Sequence, residues 1–242
     1  MMNIFKNKKY VIFDMDGTLI DSVGVWNSVD EALIKELNNG NAPDASVIQS
    51  QRDEMLRKFR NSPHPYNDYC DFLRIKYNLN VSAKEIIERR YAIAQYYLEN
   101  VVDYKKDADT FVHKLSELGY VLAIASTTKR SNIDVYRHQN SNIISKADID
   151  TYFKLVLTRE DAVAMKPSPD IYLKCLDLLG ADVEECIVLE DSLVGVEAAK
   201  AAGLTTVGVY DKYSDGDRYE ISKLADFTVN EYSERIEMLE HL

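Results

Sequence analysis

Short apolar runs rich in β-branched and aromatic residues recur at Tyr10–Phe13, Tyr120–Ala125, Phe153–Leu157, Cys186–Leu189 and Thr205–Val209, with a weaker one at Phe227–Val229. Their length and composition predict buried strands. From the second run onward, each is separated from the next by a segment that reads as a helix or loop. That alternation predicts a parallel sheet joined by crossover helices. The helix ends are marked. Thr110–Leu118 stops at Gly119, "PDIYLKCLDLLG" opens with Pro169 and closes at Gly180, and "LVGVEAAKAAG" closes at Gly203. Proline suits a first turn because its missing N–H would be unpaired there, and glycine ends a helix by entering the left-handed region.

From about Val23 to Val101 no strand-like run occurs and helical periodicity takes over. Trp26, Val29, Leu33 and Leu37 recur on one face, and "SAKE" at Ser82–Glu85 has the form of a capping box opening a helix with Ile86, Ile87 and Tyr91. "NNGNAP" and "NSPHPYN" read as breaks between helices. The expected organisation is an α/β core of residues 1–22 and 102–242, with a smaller helical domain inserted over 23–101. Tyr66, Tyr69, Tyr77, Tyr91, Tyr96 and Tyr97 of the insertion are read as packing residues, and "KYSDGDRYE" at Lys212–Glu220 as a surface loop.

Composition narrows the function classes. A chain of 242 residues with 46% hydrophobic content can fold on its own core. A formal net charge of -11 offers no basic field, which argues against nucleic acid and anionic membrane as partners. Cys70, Cys175 and Cys186 lack paired spacing and read as core thiols in a reducing compartment. The start, "MMNIFKNKKYVIF", is too broken by lysines to read as a signal peptide, and no run is long enough to span a membrane. A soluble, cytoplasmic protein is expected, a monomer or weak oligomer.

Candidate chemistry enters with "YVIFDMDGTLIDS", which sets Asp14 and Asp16 one residue apart after the first strand. Carboxylates so close repel unless water or a cation relieves them. In an open parallel sheet, ligands bind beyond the carboxyl ends of the strands, so residues distant in sequence can share a site. Beyond the first strand come Asp14 and Asp16; beyond the second, Ser126, Thr127 and Thr128; beyond the third, Lys166; beyond the fourth, Glu190 and Asp191. Each group taken alone is an ordinary polar loop or helix cap. All four would lie at one end of the sheet. His64, His113, His138 and His241 show no metal-ligand spacing.

The set resembles the haloacid dehalogenase superfamily of phosphotransferases, in "DMDGT" at Asp14–Thr18, "AST" at Ala125–Thr127, "KPSPDIY" at Lys166–Tyr172 and "LEDS" at Leu189–Ser192. The similarity covers the first 22 residues and about Leu115–Val209, and the insertion stands where that family carries an α-helical cap. The resemblance implies a Rossmann-like parallel sheet with helices on both faces. It implies Asp14 as a nucleophile forming an aspartyl phosphate, and Asp16 as the acid and base that protonates the leaving oxygen and then activates water. It further implies phosphoryl contacts from Ser126, Thr127 and Lys166, and Mg²⁺ held by Asp14, the Asp16 carbonyl and Asp191, with Glu190 near or in the metal shell.

The expected activity is Mg²⁺-dependent hydrolysis of small phosphorylated metabolites such as sugar phosphates. Two alternatives remain open. A mutase of the β-phosphoglucomutase type would place a cap-hinge histidine twelve residues after the nucleophile, where this chain has Trp26. A non-catalytic phosphate-binding or regulatory protein could keep the fold without turnover. One departure is local: relatives often carry a Pro-Gly turn ahead of the helix before the second strand, where this chain reads "VDYKKDADTF".

Overall fold

The computed structural model describes residues 4–59 and 62–239. The start of the "NSPHPYN" break at Asn61, and His241, lie outside them. In chain order the elements are β1 (Tyr10–Phe13), α1 (Val25–Leu37), α2 (Ala45–Lys58), α3 (Pro65–Lys76), α4 (Ala83–Asn100), α5 (Ala108–Glu117), β2 (Val121–Ala125), α6 (Arg130–His138), α7 (Ser141–Ala147) and α8 (Ile149–Tyr152). There follow β3 (Phe153–Leu157), α9 (Asp170–Leu179), β4 (Cys186–Glu190), α10 (Leu193–Ala201), β5 (Thr205–Val209), α11 (Arg218–Leu224), β6 (Phe227–Val229) and α12 (Ser233–Leu239). Contacts divide the chain into one unit of Met1–Val23 with Val102–Leu242 and another of Gly24–Val101.

The first unit is built on a six-stranded sheet in the order β3-β2-β1-β4-β5-β6, with every pairing parallel. Successive strand residues face opposite sides of a sheet, and both sides here are covered. On one, Ile12, Ala123 and Val188 meet Ile171, Tyr172 and Cys175 of α9 and Ala198 and Ala199 of α10. On the other, Phe13 meets Phe111 of α5 and Phe153, with ring centroids 6.2 and 5.9 Å apart. Burial on both faces is why the strands read as continuous apolar runs rather than alternating ones. Cys175 and Cys186 are buried free thiols of this core.

Register aligns the site. Phe13 pairs with Leu189 and with Ile124, so one step further Asp14 stands beside Glu190 and Ala125. The Asp14 N–H donates to the Leu189 carbonyl at 3.0 Å, and the Ser126 N–H to Leu157 at 3.0 Å, which carries sheet bonding just past the strand ends. Where the resemblance anticipates Pro-Gly, Asp107 precedes α5 with φ 63°, the left-handed conformation glycine usually supplies. Lys212–Glu220 is not a loop as expected: Lys212–Asp217 forms a 3-10 helix, capped by the Asp211 side chain accepting from the Tyr213 N–H at 2.9 Å, and runs into α11.

The second unit comprises α1 to α4 around Leu33, Ile34, Ile48, Tyr69, Cys70, Leu73 and Ile86. Ser82 caps α4 by accepting from the Glu85 N–H at 3.1 Å, the arrangement the "SAKE" pattern predicts. Its interior also holds charge. Asp30 is fully buried, accepts from Arg90 Nε at 2.6 Å and from the Tyr69 hydroxyl at 2.8 Å, and Arg90 lies over the Trp26 ring at 5.1 Å. The tyrosines divide. Tyr69 packs as expected, whereas Tyr66, Tyr91 and Tyr96 are exposed, because the apolar stripe of α4 runs through Ile86, Ala94 and Leu98 and leaves Tyr91 and Tyr96 outside it.

Candidate active site

Central strands β1 and β4 lead into carboxylates that meet one lysine, and β2 adds a backbone carbonyl. Lys166, delivered by the loop between β3 and α9, donates to Asp14 Oδ1 at 2.6 Å, to Glu190 Oε1 at 2.5 Å and to the Ala125 carbonyl at 3.0 Å. All three ammonium protons are thereby used. The peptide bond joining Lys166 to Pro167 is cis. Tyr172, in the first turn of α9, donates its hydroxyl to the same Glu190 oxygen at 2.6 Å, and its ring lies 4.9 Å from Lys166 Nζ.

Asp191 completes an acidic group. One carboxylate oxygen from each of Asp14, Glu190 and Asp191 lies within 4.8 Å of the others, and all three residues are buried. One lysine therefore faces three carboxylates out of water. Burial pushes the Asp14 carboxyl up, Lys166 offsets part of this, and the Glu190 and Asp16 charges push further, bringing it to about 7. Asp191 lies well above the ordinary range for the same reason: burial first, then Glu190 and Asp14, with only the Thr18 hydroxyl opposing at 2.8 Å. For Lys166 burial works against the charge, but Asp14 and Glu190 outweigh it and hold the ammonium above the usual lysine range. Such excess negative charge on hard oxygen donors fits a small divalent cation, which is the test the cluster passes.

Asp16 stands apart from this group. Ser22 and Thr128 hydroxyls donate to Oδ1 and Oδ2, and the Tyr136 hydroxyl to Oδ1 at 3.4 Å. Burial raises the Tyr136 phenol well above its ordinary range, and the Asp16 charge adds to it, so the phenol is a donor here. Ser126 is buried with its hydroxyl accepting from the Thr128 N–H at 3.2 Å, and Thr127 lies between them, half-buried. The structure thus brings Asp14, Lys166, Glu190 and Asp191 into one contact group. Asp16, Ser126 and Thr127 follow β1 and β2 at the same end of the sheet.

Two glycines are dictated by close approach. Gly17 has φ 87°, and a Cβ there would lie 2.4 Å from Asp191 Oδ2. At Gly195, in the first turn of α10, a Cβ would lie 2.1 Å from Cδ and both oxygens of Glu190. In an open helix, glycine to alanine is favourable by about 1 kcal/mol. Gly195→Ala is expected to reverse that sign, destabilising by about 1–3 kcal/mol through overpacking. Thermal denaturation checks it; an unchanged or raised melting temperature would mean that the Glu190 carboxylate does not fill that space.

Sequence reasoning missed Lys105, Tyr136, Tyr172 as a Glu190 donor, Thr18 as the Asp191 donor, and Gly195. Tyr172 and Thr18 lie inside the quoted motifs and Gly195 follows "LEDS" by three residues, so proximity was a signal. Lys105 lies in "VDYKKDADTF", a stretch noted only for its lack of Pro-Gly, and Tyr136 lies outside every motif, so only folding brings the two to the site residues.

Comparisons with known proteins bear on the family and the fold. The sequence pattern of a family described as haloacid dehalogenase-like hydrolase matches residues 11–209. The protein CbbY of Cupriavidus necator is 28% identical over 215 residues, 87% of this chain and 81% of that protein. Phosphoglycolate phosphatase of Aquifex aeolicus is 25% identical over 244 residues, 96% of this chain and 97% of its own. Among solved structures, CbbY from Rhodobacter sphaeroides in complex with phosphate superposes with a TM-score of 0.66 at 20% identity, over 94% of this chain and 96% of that one. That last likeness concerns the fold. Among the described residues no helix is long and apolar enough to cross a membrane.

Proposed function

Because this chain belongs to the haloacid dehalogenase-like hydrolases, we propose that it is a Mg²⁺-dependent phosphatase of small phosphorylated metabolites, acting through an aspartyl phosphate on Asp14. The observation that carries the reading is the single ammonium of Lys166 bonded to both Asp14 and Glu190, with Asp191 in the same buried group. The relatives named phosphoglycolate phosphatase and hexitol phosphatase, the latter 27% identical over 203 residues, support a phosphomonoester as substrate.

In this mechanism an Asp14 carboxylate oxygen attacks phosphorus and the ester oxygen departs. Asp16 protonates that oxygen and then takes a proton from the water that attacks the phosphorylated Asp14, returning both carboxylates to their starting states. Lys166 fixes the Asp14 carboxylate by one oxygen and offsets charge on the phosphoryl group, which Ser126 Oγ and the Thr127 N–H also contact. Asp14, the Asp16 carbonyl and Asp191 would hold Mg²⁺, with Glu190 beside them. The cation, when bound, supplies charge neutralisation that lets a dianionic phosphate approach an aspartate. Ser22, Thr128 and Tyr136 orient Asp16.

The 24–101 unit serves in this reading as the cap that selects the leaving group. The test is phosphate release from a panel of phosphorylated metabolites with Mg²⁺ and with EDTA. Release from a subset, abolished by EDTA, is the expected result. No release from any member by folded protein with Mg²⁺ would overturn the reading in favour of phosphate binding without turnover.

A further inference from the structure

We propose that Lys105 is a positioning residue that holds the Asp14–Thr18 turn, and with it Asp191, in the geometry needed for cation binding and turnover. The proposal rests on the phosphatase reading for its kinetic consequence but not for its structural one. Lys105 Nζ donates to the Gly17 carbonyl at 2.7 Å, to the Tyr210 carbonyl at 2.8 Å and to Asp211 Oδ2 at 2.8 Å. Its side chain is 16% exposed and that of Asp211 4%. An ammonium has three protons, and each has an acceptor here. Two acceptors lie just past β5, and the third is the carbonyl of Gly17, the residue between Asp16 and Thr18.

The Gly17 position gives this bond its reach. Its Cα approaches Asp191 so closely that a Cβ would lie 2.4 Å from Oδ2, while the next residue, Thr18, donates to Asp191 Oδ1 at 2.8 Å. The residue before it is Asp16. A shift of the Gly17 peptide would therefore move the proposed acid-base group on one side and the Asp191 contact on the other. The backbone around Lys105 is tied to the same turn independently: its N–H donates to the Leu19 carbonyl at 2.9 Å, and Tyr104 bridges to Ile20. Those bonds need no side chain. Substituting Lys105 thus removes the Nζ bonds and leaves the strand-like pairing.

The test uses the full chain and two readouts. Lys105→Met is expected to lower kcat about 10- to 100-fold with KM changed less than about threefold, the pattern of a misplaced reacting group rather than lost substrate binding. The Mg²⁺ concentration giving half of the full thermal stabilisation is expected to rise by about tenfold or more. Lys105→Leu, which also removes every Nζ bond, carries the same test should the methionine variant not fold. Asp211→Asn serves as the control. It discharges the ion pair but leaves the Gly17 bond, so kcat should stay within about threefold of wild type although stability falls.

Equal kcat losses in Asp211→Asn and Lys105→Met would overturn the proposal, since loosening of the β5 end alone would then account for both. So would unchanged kcat and Mg²⁺ midpoint in the Lys105 variants. Should wild type itself release no phosphate, the phosphatase reading fails alone, and the Mg²⁺ midpoint still decides the role of Lys105.

Discussion

Asp14→Asn is expected to lower phosphate release by on the order of 10³-fold or more, with the fold retained. The amide matches the carboxylate in shape and can still accept from Lys166, which bonds Oδ1 at 2.6 Å. What it lacks is a charged oxygen able to displace an ester oxygen and form an acyl phosphate. Rapid quenching with a turned-over substrate should reveal one phosphate covalently bound to wild type and none on the variant, by mass of the intact protein. Retention of more than about a tenth of the wild-type rate would place the nucleophile elsewhere. The same experiment distinguishes attack by Asp14 from direct attack by water, because only the former passes through a protein-bound phosphate.

Removing divalent cations is expected to destabilise the protein increasingly as pH rises. The sign follows from Asp14, whose carboxyl is raised from 3.8 to about 7, mainly by burial. A carboxyl that is harder to ionise when folded contributes its stability fully below its unfolded value and loses it as pH climbs through its folded value. The window is therefore about pH 4 to 7. Asp191 is raised as well, by burial and by Glu190 and Asp14, and acts in the same direction. Ionising that buried carboxyl in the folded protein costs on the order of a few kcal/mol, which lowers the melting temperature by on the order of 10 °C for a chain of this size. A cation that binds the ionised carboxylates restores that loss. The difference in melting temperature between Mg²⁺ and EDTA should thus be small near about pH 5 and large near about pH 8. Taking the difference at each pH cancels the titration of carboxylates outside the cluster. An equal increment at both values, or none, would contradict a cation site at Asp14, Glu190 and Asp191.

The site residues were legible to unequal degrees. Asp14, Lys166, Glu190 and Asp191 could be named beforehand because each follows a strand-like run or sits in a short motif, and parallel strands end on one edge. Asp16 could be named, and two residues that donate to it lie in view of the sequence, Ser22 at the end of "YVIFDMDGTLIDS" and Thr128 beyond the second strand, whereas Tyr136 lies 120 residues away on α6. Lys105 carried no local signal, since a lysine in a polar linker usually points to solvent. Tyr91 and Tyr96 misled in the other direction. Helical spacing identifies a candidate face, but which face is covered depends on the packing partner, and in α4 that face runs through Ile86, Ala94 and Leu98.

The order of short apolar runs, the proline and glycine punctuation of helices and the polar residues after each strand were sufficient by themselves to determine a parallel α/β sheet with a helical insertion and one acidic edge. These are local properties: period, propensity and turn chemistry act over a few residues, and parallel pairing carries their consequences to a common end. Tertiary structure alone decided how the charges there are balanced. Register sets Asp14 beside Glu190, the loop after β3 delivers one ammonium to both, and α10 approaches Glu190 so closely that only glycine fits at position 195. Burial then makes those distances consequential, because desolvation and charge repulsion strengthen together as water leaves, and no pattern in a chain records how much water a fold will exclude.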